Sequence, residues 1–194
     1  YTTLAADVLA RHLRAAGKDV YFQTGTDEHG SNIEKIAREK NIEPKSWCRE
    51  ISADFRNLWK TLNISYDYFI RTTDQDHERR VQAAFERLLE TGDIYPGSYN
   101  GLYCRSCESF MDEGELVNGN CPMHGKPPER VSEDTYFFKL SKYQAPLLKH
   151  YAENQDFLAP KHRAQEIINF VNSGLKDISV SRTRVTWGVK VPSN

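Results

Sequence analysis

The 194-residue sequence contains no run approaching the roughly 20 consecutive apolar residues that span a bilayer, and no basic-then-apolar leader opens it. Secretion and membrane insertion are not expected, and the cytosol is the default compartment. An excess of positive charge is also missing: 26 Lys and Arg stand against 27 Asp and Glu, for a formal charge of -1. No global field advertises nucleic acid, so any such contact has to come from local patches. Cysteine is scarce, with four residues, and its placement is not that of a disulfide framework: Cys104, Cys107 and Cys121 cluster, while Cys48 stands alone in a helical pattern. Internal repeats and low-complexity linkers are absent too, so the organisation has to be read from periodicity and breakers. What is present, 39% apolar, 11% aromatic and 27% charged residues, suits a chain that buries a real core. The first residue is Tyr1 rather than Met, so a processed chain or a piece of something longer is expected.

Periodicity divides the chain into two textures. In the first, Leu4, Val8, Leu9 and Leu13 fall at helical spacing and Gly17 offers a stop. Val20–Gln23 reads as a short strand, Thr24–Gly30 as a strand-to-helix turn, and Ser31 with Glu34 has the form of a capping box opening a second helix. Pro44 suits the first turn of a third helix, whose Trp47, Ile51, Phe55, Leu58, Trp59 and Leu62 trace an apolar stripe expected to be core. Tyr68–Ile70 reads as a strand; Val81, Phe85, Leu88 and Leu89 mark a helix closed by Gly92, and Ile94–Tyr95 a further short strand. Alternation of strand and helix favours a parallel sheet covered by helices, whose ligands bind beyond the carboxyl ends of the strands. Thr24–Gly30 lies at such an end.

Near Pro96 and Gly97 the texture shifts to Gly, Tyr, Asn and Cys in short extended pieces, and a boundary is expected there. Helical patterns return at Gln144–Glu153 and Arg163–Ser173, the latter stopped by Gly174, before a β-like run from Ile178. The second half therefore reads as an α+β insert built around a small knuckle.

Two constellations could carry chemistry. Cys104-Arg-Ser-Cys107 and, after about thirteen residues, Cys121-Pro-Met-His124 have the paired-turn spacing of a tetrahedral zinc site. Four protein ligands leave no open position, so one structural Zn²⁺ is expected rather than a catalytic one. The second constellation is Thr24-Gly25-Thr26-Asp27-Glu28-His29-Gly30. Asp27 could receive an ammonium group, while Glu28 and His29 could orient a ligand or exchange protons; equally, such residues cap helices and decorate turns. Cys48 reads as a partly buried helix residue, and His12, His77, His150 and His162 as surface residues. The charges of Lys35, Arg38 and Lys40, and of Glu78, Arg79 and Arg80, read as solvated faces. Arg182 and Arg184, with Lys161 and Arg163, are better candidates for phosphate contacts.

Thr24–Gly30, Phe69-Ile70-Arg71-Thr72-Thr73, Gly92-Asp93-Ile94-Tyr95, the Cys104–His124 knuckle, and Ser179-Val180-Ser181-Arg182 with Trp187-Gly188 resemble, in that order, the bacterial-type methionyl-tRNA synthetase family. The resemblance covers nearly the whole chain. It implies a class I Rossmann-type half-domain with a parallel sheet over residues 1–97, and an α+β connective-peptide insert over 98–194 with a zinc knuckle at about 104–124. It further implies activation of methionine by ATP with Mg²⁺, then transfer of the methionyl group to tRNA(Met), in the cytoplasm and with no membrane partner. Under that resemblance Asp27 receives the methionine α-amino group and His29 lines the same pocket. Arg182 is the catalytic arginine that reaches the adenylate and the tRNA end, and Cys104, Cys107, Cys121 and His124 hold the zinc. The family's HIGH and KMSKS motifs and its anticodon-reading domain are not in these residues. The chain alone is therefore expected to be inactive without the remaining segments of the synthetase. Two other readings stay open: a natural short paralogue serving as a non-catalytic tRNA- or protein-binding module, and a generic α/β domain with a zinc knuckle.

Overall fold

The computed structural model describes residues 1–107, 109–183 and 185–192; Arg184 lies outside them. Two compact units emerge, Tyr1–Ala83 with Val185–Asn194, and Ala84–Arg184. The first is a helix-covered parallel pair. Helix α1 (Thr2–Ala15) ends where Ala16 donates its N–H to the His12 carbonyl and Gly17 adopts φ +73°, the left-handed conformation that glycine enters without strain. Strand β1 (Gln23–Thr26) is followed by α2 (Ser31–Glu39), α3 (Pro44–Thr61) and β2 (Tyr68–Arg71), and β2 pairs β1 in parallel from Gln23↔Tyr68 to Thr26↔Arg71. Parallel neighbours need a crossover, and α2 with α3 supplies it. Ala10, Phe22 and Ile64 form the core, with Ala6, Val20, Trp59 and Tyr66 packed against it. Asp7 ties α1 to the segment after α3: its carboxylate accepts from Ser65 N at 2.6 Å, Ser65 Oγ at 2.6 Å and Arg11 Nε at 2.7 Å.

Three local expectations shift here. The strand lies three residues beyond Val20, because Val20 and Phe22 point into the core while Gln23–Thr26 make the ladder. Only Asp27–Gly30 is left as the turn. Gly30, with φ +107°, is the N-cap of α2, so Ser31 is already inside the helix, and Glu34 accepts from Thr186 Oγ1 at 2.6 Å instead of closing a capping box. The α3 stripe is only partly core: Cys48 and Ser52 are buried, whereas Phe55, Leu58 and Leu62 are 39%, 46% and 43% exposed. An 18-residue helix is roughly 27 Å long, about twice the length of a four-residue strand, so two short strands cannot cover it.

The second unit contains a four-stranded antiparallel sheet in the order β4-β3-β5-β6, from β3 (Ile94–Cys104), β4 (Ser109–Met111), β5 (Glu129–Phe138) and β6 (Ile178–Ser179). Helices α5 (Gln144–Glu153) and α6 (Lys161–Asn172) fall at the positions that periodicity indicates, and Gly174 at φ +103° ends the second. Helix α4 (Gln75–Glu90) contains the division between the units. The change of texture at Pro96 and Gly97 is not a break in the chain's structure: β3 pairs β5 without interruption from Ile94↔Phe138 to Tyr103↔Glu129. Pro96 is tolerated because β4 joins β3 only from Leu102 onward, which leaves the other side of Pro96 without a ladder partner. A Cβ on Gly97 would meet the Phe137 ring at 2.9 Å, so this glycine serves a close approach rather than a turn. Among the described residues no helix is long and apolar enough to cross a membrane.

Candidate functional site

The ends of β3 and of the loop that returns to β5 create the first site. Cys104 is the last residue of β3 and Cys107 sits in the turn after it. Cys121 and His124 share a tight turn in which Gly125 N donates to the Cys121 carbonyl at 2.8 Å and Cys121 N to the Lys126 carbonyl at 2.9 Å; Gly125 has φ +62°. One ligand atom from each of Cys104, Cys107, Cys121 and His124 lies within 4.8 Å of all the others. Cys107 Sγ is 3.5 Å from Cys121 Sγ and 3.2 Å from His124 Nδ1, and Cys121 Sγ is 3.8 Å from His124 Nδ1. Tetrahedral zinc places sulfurs roughly 3.8 Å apart and sulfur and nitrogen roughly 3.5 Å apart, so the donor set fits one such ion. The thiols perturb one another. A hydrogen bond to Cys121 and burial push Cys107 up to about 12, whereas the backbone N–H of Cys107 lowers Cys104. A divalent cation relieves that crowding by drawing all three as thiolates.

The second site is the turn after β1. Gly25 is dictated by packing, since a Cβ there would stand 2.0 Å from the Ile70 carbonyl oxygen of β2. Glu28, for which both a ligand-facing and a turn-bracing reading were open, is 2% exposed and consumed internally. Its carboxylate accepts from Arg71 Nε and Nη2, both at 2.8 Å, from Thr26 Oγ1 at 2.6 Å and from Thr73 Oγ1 at 2.5 Å. Burial works to raise its pKa, but the hydrogen bonds from Arg71, Thr26 and Thr73 outweigh it and hold the group below the ordinary carboxylate value. Glu28 is thus an anion at neutral pH that braces the turn.

Asp27 and His29 flank it with different surroundings. Asp27 is exposed, and no cation among the described residues stands within ion-pair distance of it. It lines a cavity of about 350 Å³ whose walls include Ile33 of α2 and Trp47, Ile51 and Phe55 of α3. His29 is not among the residues lining that cavity. Its ring packs on Trp187 with centroids 5.5 Å apart, and Nε2 lies 3.9 Å from Glu78 Oε1. Burial lowers the His29 pKa against the opposing pull of Glu78, Asp27 and Glu28, which keeps the imidazole mainly neutral at pH 7. Cys48 is buried as expected; its thiol donates to the Glu28 carbonyl at 3.4 Å and burial pushes its pKa up.

Arg182 belongs to the second unit. Its Nη1 donates to Ser179 Oγ and to the Ser181 carbonyl, both at 2.7 Å, and the guanidinium lies over Phe110 at 4.4 Å. Lys161 and Arg163 make solvent-exposed pairs with Asp156 at 3.1 Å and Glu166 at 2.6 Å. Lys35 and Arg38 pair with Glu39 and Glu34 along α2, a solvated face as expected. His12, His150 and His162 are exposed, while His77 is partly buried.

Sequence reasoning missed the bracing set Arg71, Thr72 and Thr73, whose motif was visible but whose partner was not, and Trp187, whose indole N–H reaches the Glu28 carbonyl at 2.5 Å across 159 residues.

The family model described as tRNA synthetases class I (M) matches residues 1–127 and 111–194. The methionine–tRNA ligase of Caldanaerobacter subterraneus subsp. tengcongensis is 55% identical over 192 residues, which are 99% of this chain and 30% of that protein. That of Clostridium perfringens is 54% identical over 192 residues, 98% of this chain and 30% of the relative. Methionyl-tRNA synthetase of Mycobacterium tuberculosis bound by methionyl-adenylate superposes with a TM-score of 0.90 at 43% identity, covering 98% of this chain and 38% of that one. The chain spans about a third of the length of the relatives it matches. Matches that run from one end of the chain to the other, in sequence and in fold, make it a member of the class I tRNA synthetase (M) family.

Proposed function

We propose that the chain is the part of a methionine–tRNA ligase that receives the methionine amino group and carries the zinc-bearing insert. The longer enzyme joins the methionine carboxylate to the α-phosphate of ATP, with Mg²⁺, releasing pyrophosphate. It then passes the methionyl group from the adenylate to the terminal ribose of tRNA(Met), in the cytoplasm. Residues 1–97 are read as the first half of the catalytic domain and 98–194 as the connective-peptide insert. The observation that carries this reading is the Asp27–Gly30 turn. It presents one uncompensated carboxylate beside an apolar-walled cavity, at the carboxyl end of a parallel strand, in a chain 55% identical to a methionine–tRNA ligase.

Each residue has a role that its surroundings support. Asp27 offers an ammonium group a charge-assisted bond worth about 1.5–3 kcal/mol, and has no internal cation to compete for it among the described residues. His29, mainly neutral, stands in the same turn outside the cavity wall, and its place beside the substrate rests on the family resemblance. Arg182 spends Nη1 on its own loop, which fixes the guanidinium plane; among the described residues none of its hydrogen bonds uses Nε or Nη2, and these suit a phosphate. Cys104, Cys107, Cys121 and His124 would hold one Zn²⁺, which supplies cross-linking of the knuckle and no reactive position.

The test is methionine-dependent ATP–pyrophosphate exchange by the longer protein that contains these residues. Asp27→Asn is expected to raise the methionine KM about 10-fold or more while leaving the ATP KM nearly unchanged. The isolated 194 residues are expected to show no exchange above a Cys104→Ser control. Unaltered methionine kinetics in Asp27→Asn would remove the reading.

A further inference from the structure

Residues 185–190 belong to the first unit, where they form a strap. Val185, Trp187 and Val189 are half-buried in alternation with exposed Thr186, Gly188 and Lys190. It is fastened by Thr186 Oγ1 to Glu34 Oε1 at 2.6 Å and by Gln82 Nε2 to the Lys190 carbonyl at 2.9 Å. Between these fastenings Trp187 makes three contacts with the turn after β1. Its Nε1–H donates to the Glu28 carbonyl at 2.5 Å, its own carbonyl accepts from Gly30 N at 3.2 Å, and its ring packs against the His29 ring at a tilt of 59°.

A peptide group is rigid, so holding its carbonyl or its N–H orients the whole plane. Three consecutive planes make up this turn. The Asp27–Glu28 plane is held by Glu28 N donating to Thr72 Oγ1 at 2.9 Å. The Glu28–His29 plane is held at its carbonyl by the indole of Trp187 and, more weakly, by the Cys48 thiol at 3.4 Å. The His29–Gly30 plane is held at its N–H by the Trp187 carbonyl. Both planes that flank the His29 Cα therefore depend on Trp187, whose ring also packs against the imidazole, whereas the Asp27–Glu28 plane is anchored by Thr72, just after β2.

We infer that Trp187 is a positioning residue for His29: it fixes the peptide planes on either side of His29, packs against its ring, and acts on the amino-acid substrate through His29 alone. The inference rests on the reading of this turn as the methionine-binding turn.

The experiment uses the longer enzyme and an indole isostere. Replacing Trp187 with β-(3-benzothienyl)alanine retains the ring shape and removes only the N–H; Trp187→Phe is the genetically simple counterpart. Both are expected to raise the methionine KM roughly 3- to 10-fold, the equivalent of one hydrogen bond, with the ATP KM within about twofold of wild type. In a His29→Asn background the same replacements are expected to add nothing, because residues that act through one another are not additive. Multiplying effects of the Trp187 and His29 substitutions, or an unchanged methionine KM beside an impaired His29→Asn, would overturn the inference and leave the functional reading intact. An unimpaired Asp27→Asn would instead remove the functional reading, and this inference with it.

Discussion

Converting Glu28 to Gln tests whether the buried anion holds the turn together. The side chain keeps its shape, but four donors, namely Thr26 Oγ1, Thr73 Oγ1 and two nitrogens of Arg71, then face a group with a single acceptor oxygen. Arg71 retains its charge with a side chain only 17% exposed, and the carboxylate that neutralised it is gone. Removing one partner of a buried, multiply bonded pair costs about 3–5 kcal/mol, since the other charge is left without compensation. At a urea m-value of about 2 kcal/mol/M, the unfolding midpoint should fall by roughly 1.5–2.5 M. Replacing both members, as Glu28→Gln with Arg71→Leu, should recover part of the loss because no stranded cation remains. The sign with pH is also fixed. The Glu28 pKa lies below its ordinary value of 4.5, so the charge contributes stability that is fully present above that pH and fades as the pH falls through the lower, folded-state value. The wild-type advantage over Glu28→Gln should accordingly narrow on acidification below 4.5. A loss under about 1 kcal/mol at pH 7, or a difference that widens in acid, would refute the argument.

Other perturbations reach different parts of the molecule. Gly25→Ala drives a methyl group into the Ile70 carbonyl and should destabilise the first unit by about 3 kcal/mol, read as a lowered midpoint with an unchanged second-unit signal. Asp7, where hydrogen bonds from Ser65 and Arg11 overcome the upward effect of burial, is held at about 2; Asp7→Asn should cost about 1–2 kcal/mol at pH 7, and the difference should disappear as the pH falls through that value. Elemental analysis of the purified protein should find one zinc per chain, lost in Cys121→Ser. Chelation should open residues 104–126 to limited proteolysis before the helices of either unit are cut, and protection of that segment without metal would contradict a structural ion.

What could be read from the residues was what depends on near neighbours in the chain. Gly17, Gly92 and Gly174 end helices, and each has positive φ, a local requirement that composition alone exposes. The four zinc ligands were legible because paired turns set their own spacing. Strand limits were less legible, because a parallel strand is defined by its partner: Gln23–Thr26 joins the ladder only through Tyr68–Arg71, while the more strand-like Val20–Phe22 packs as core. Pro96 and Gly97 carried the signal of a change in texture, yet one sits opposite an unpaired edge and the other against an aromatic ring. The role of Glu28 was hidden for the same reason, since Arg71 and Thr73 lie 43 and 45 residues away.

The 159-residue separation of Trp187 from Glu28 also sets a clock. At roughly 5–20 residues per second, a ribosome needs about 10–30 s to travel from one to the other. Through that interval the nascent turn can already hold Thr72 and Arg71 while the far faces of its peptides still bond to water. The metal ligands emerge within the same window, so the knuckle can load its ion before the strap that completes the turn has been made. A cleavage between residues 138 and 187 would therefore leave a chain with all four metal ligands and the β3–β5 pair but an unfinished turn, a product that metal content alone would not reveal.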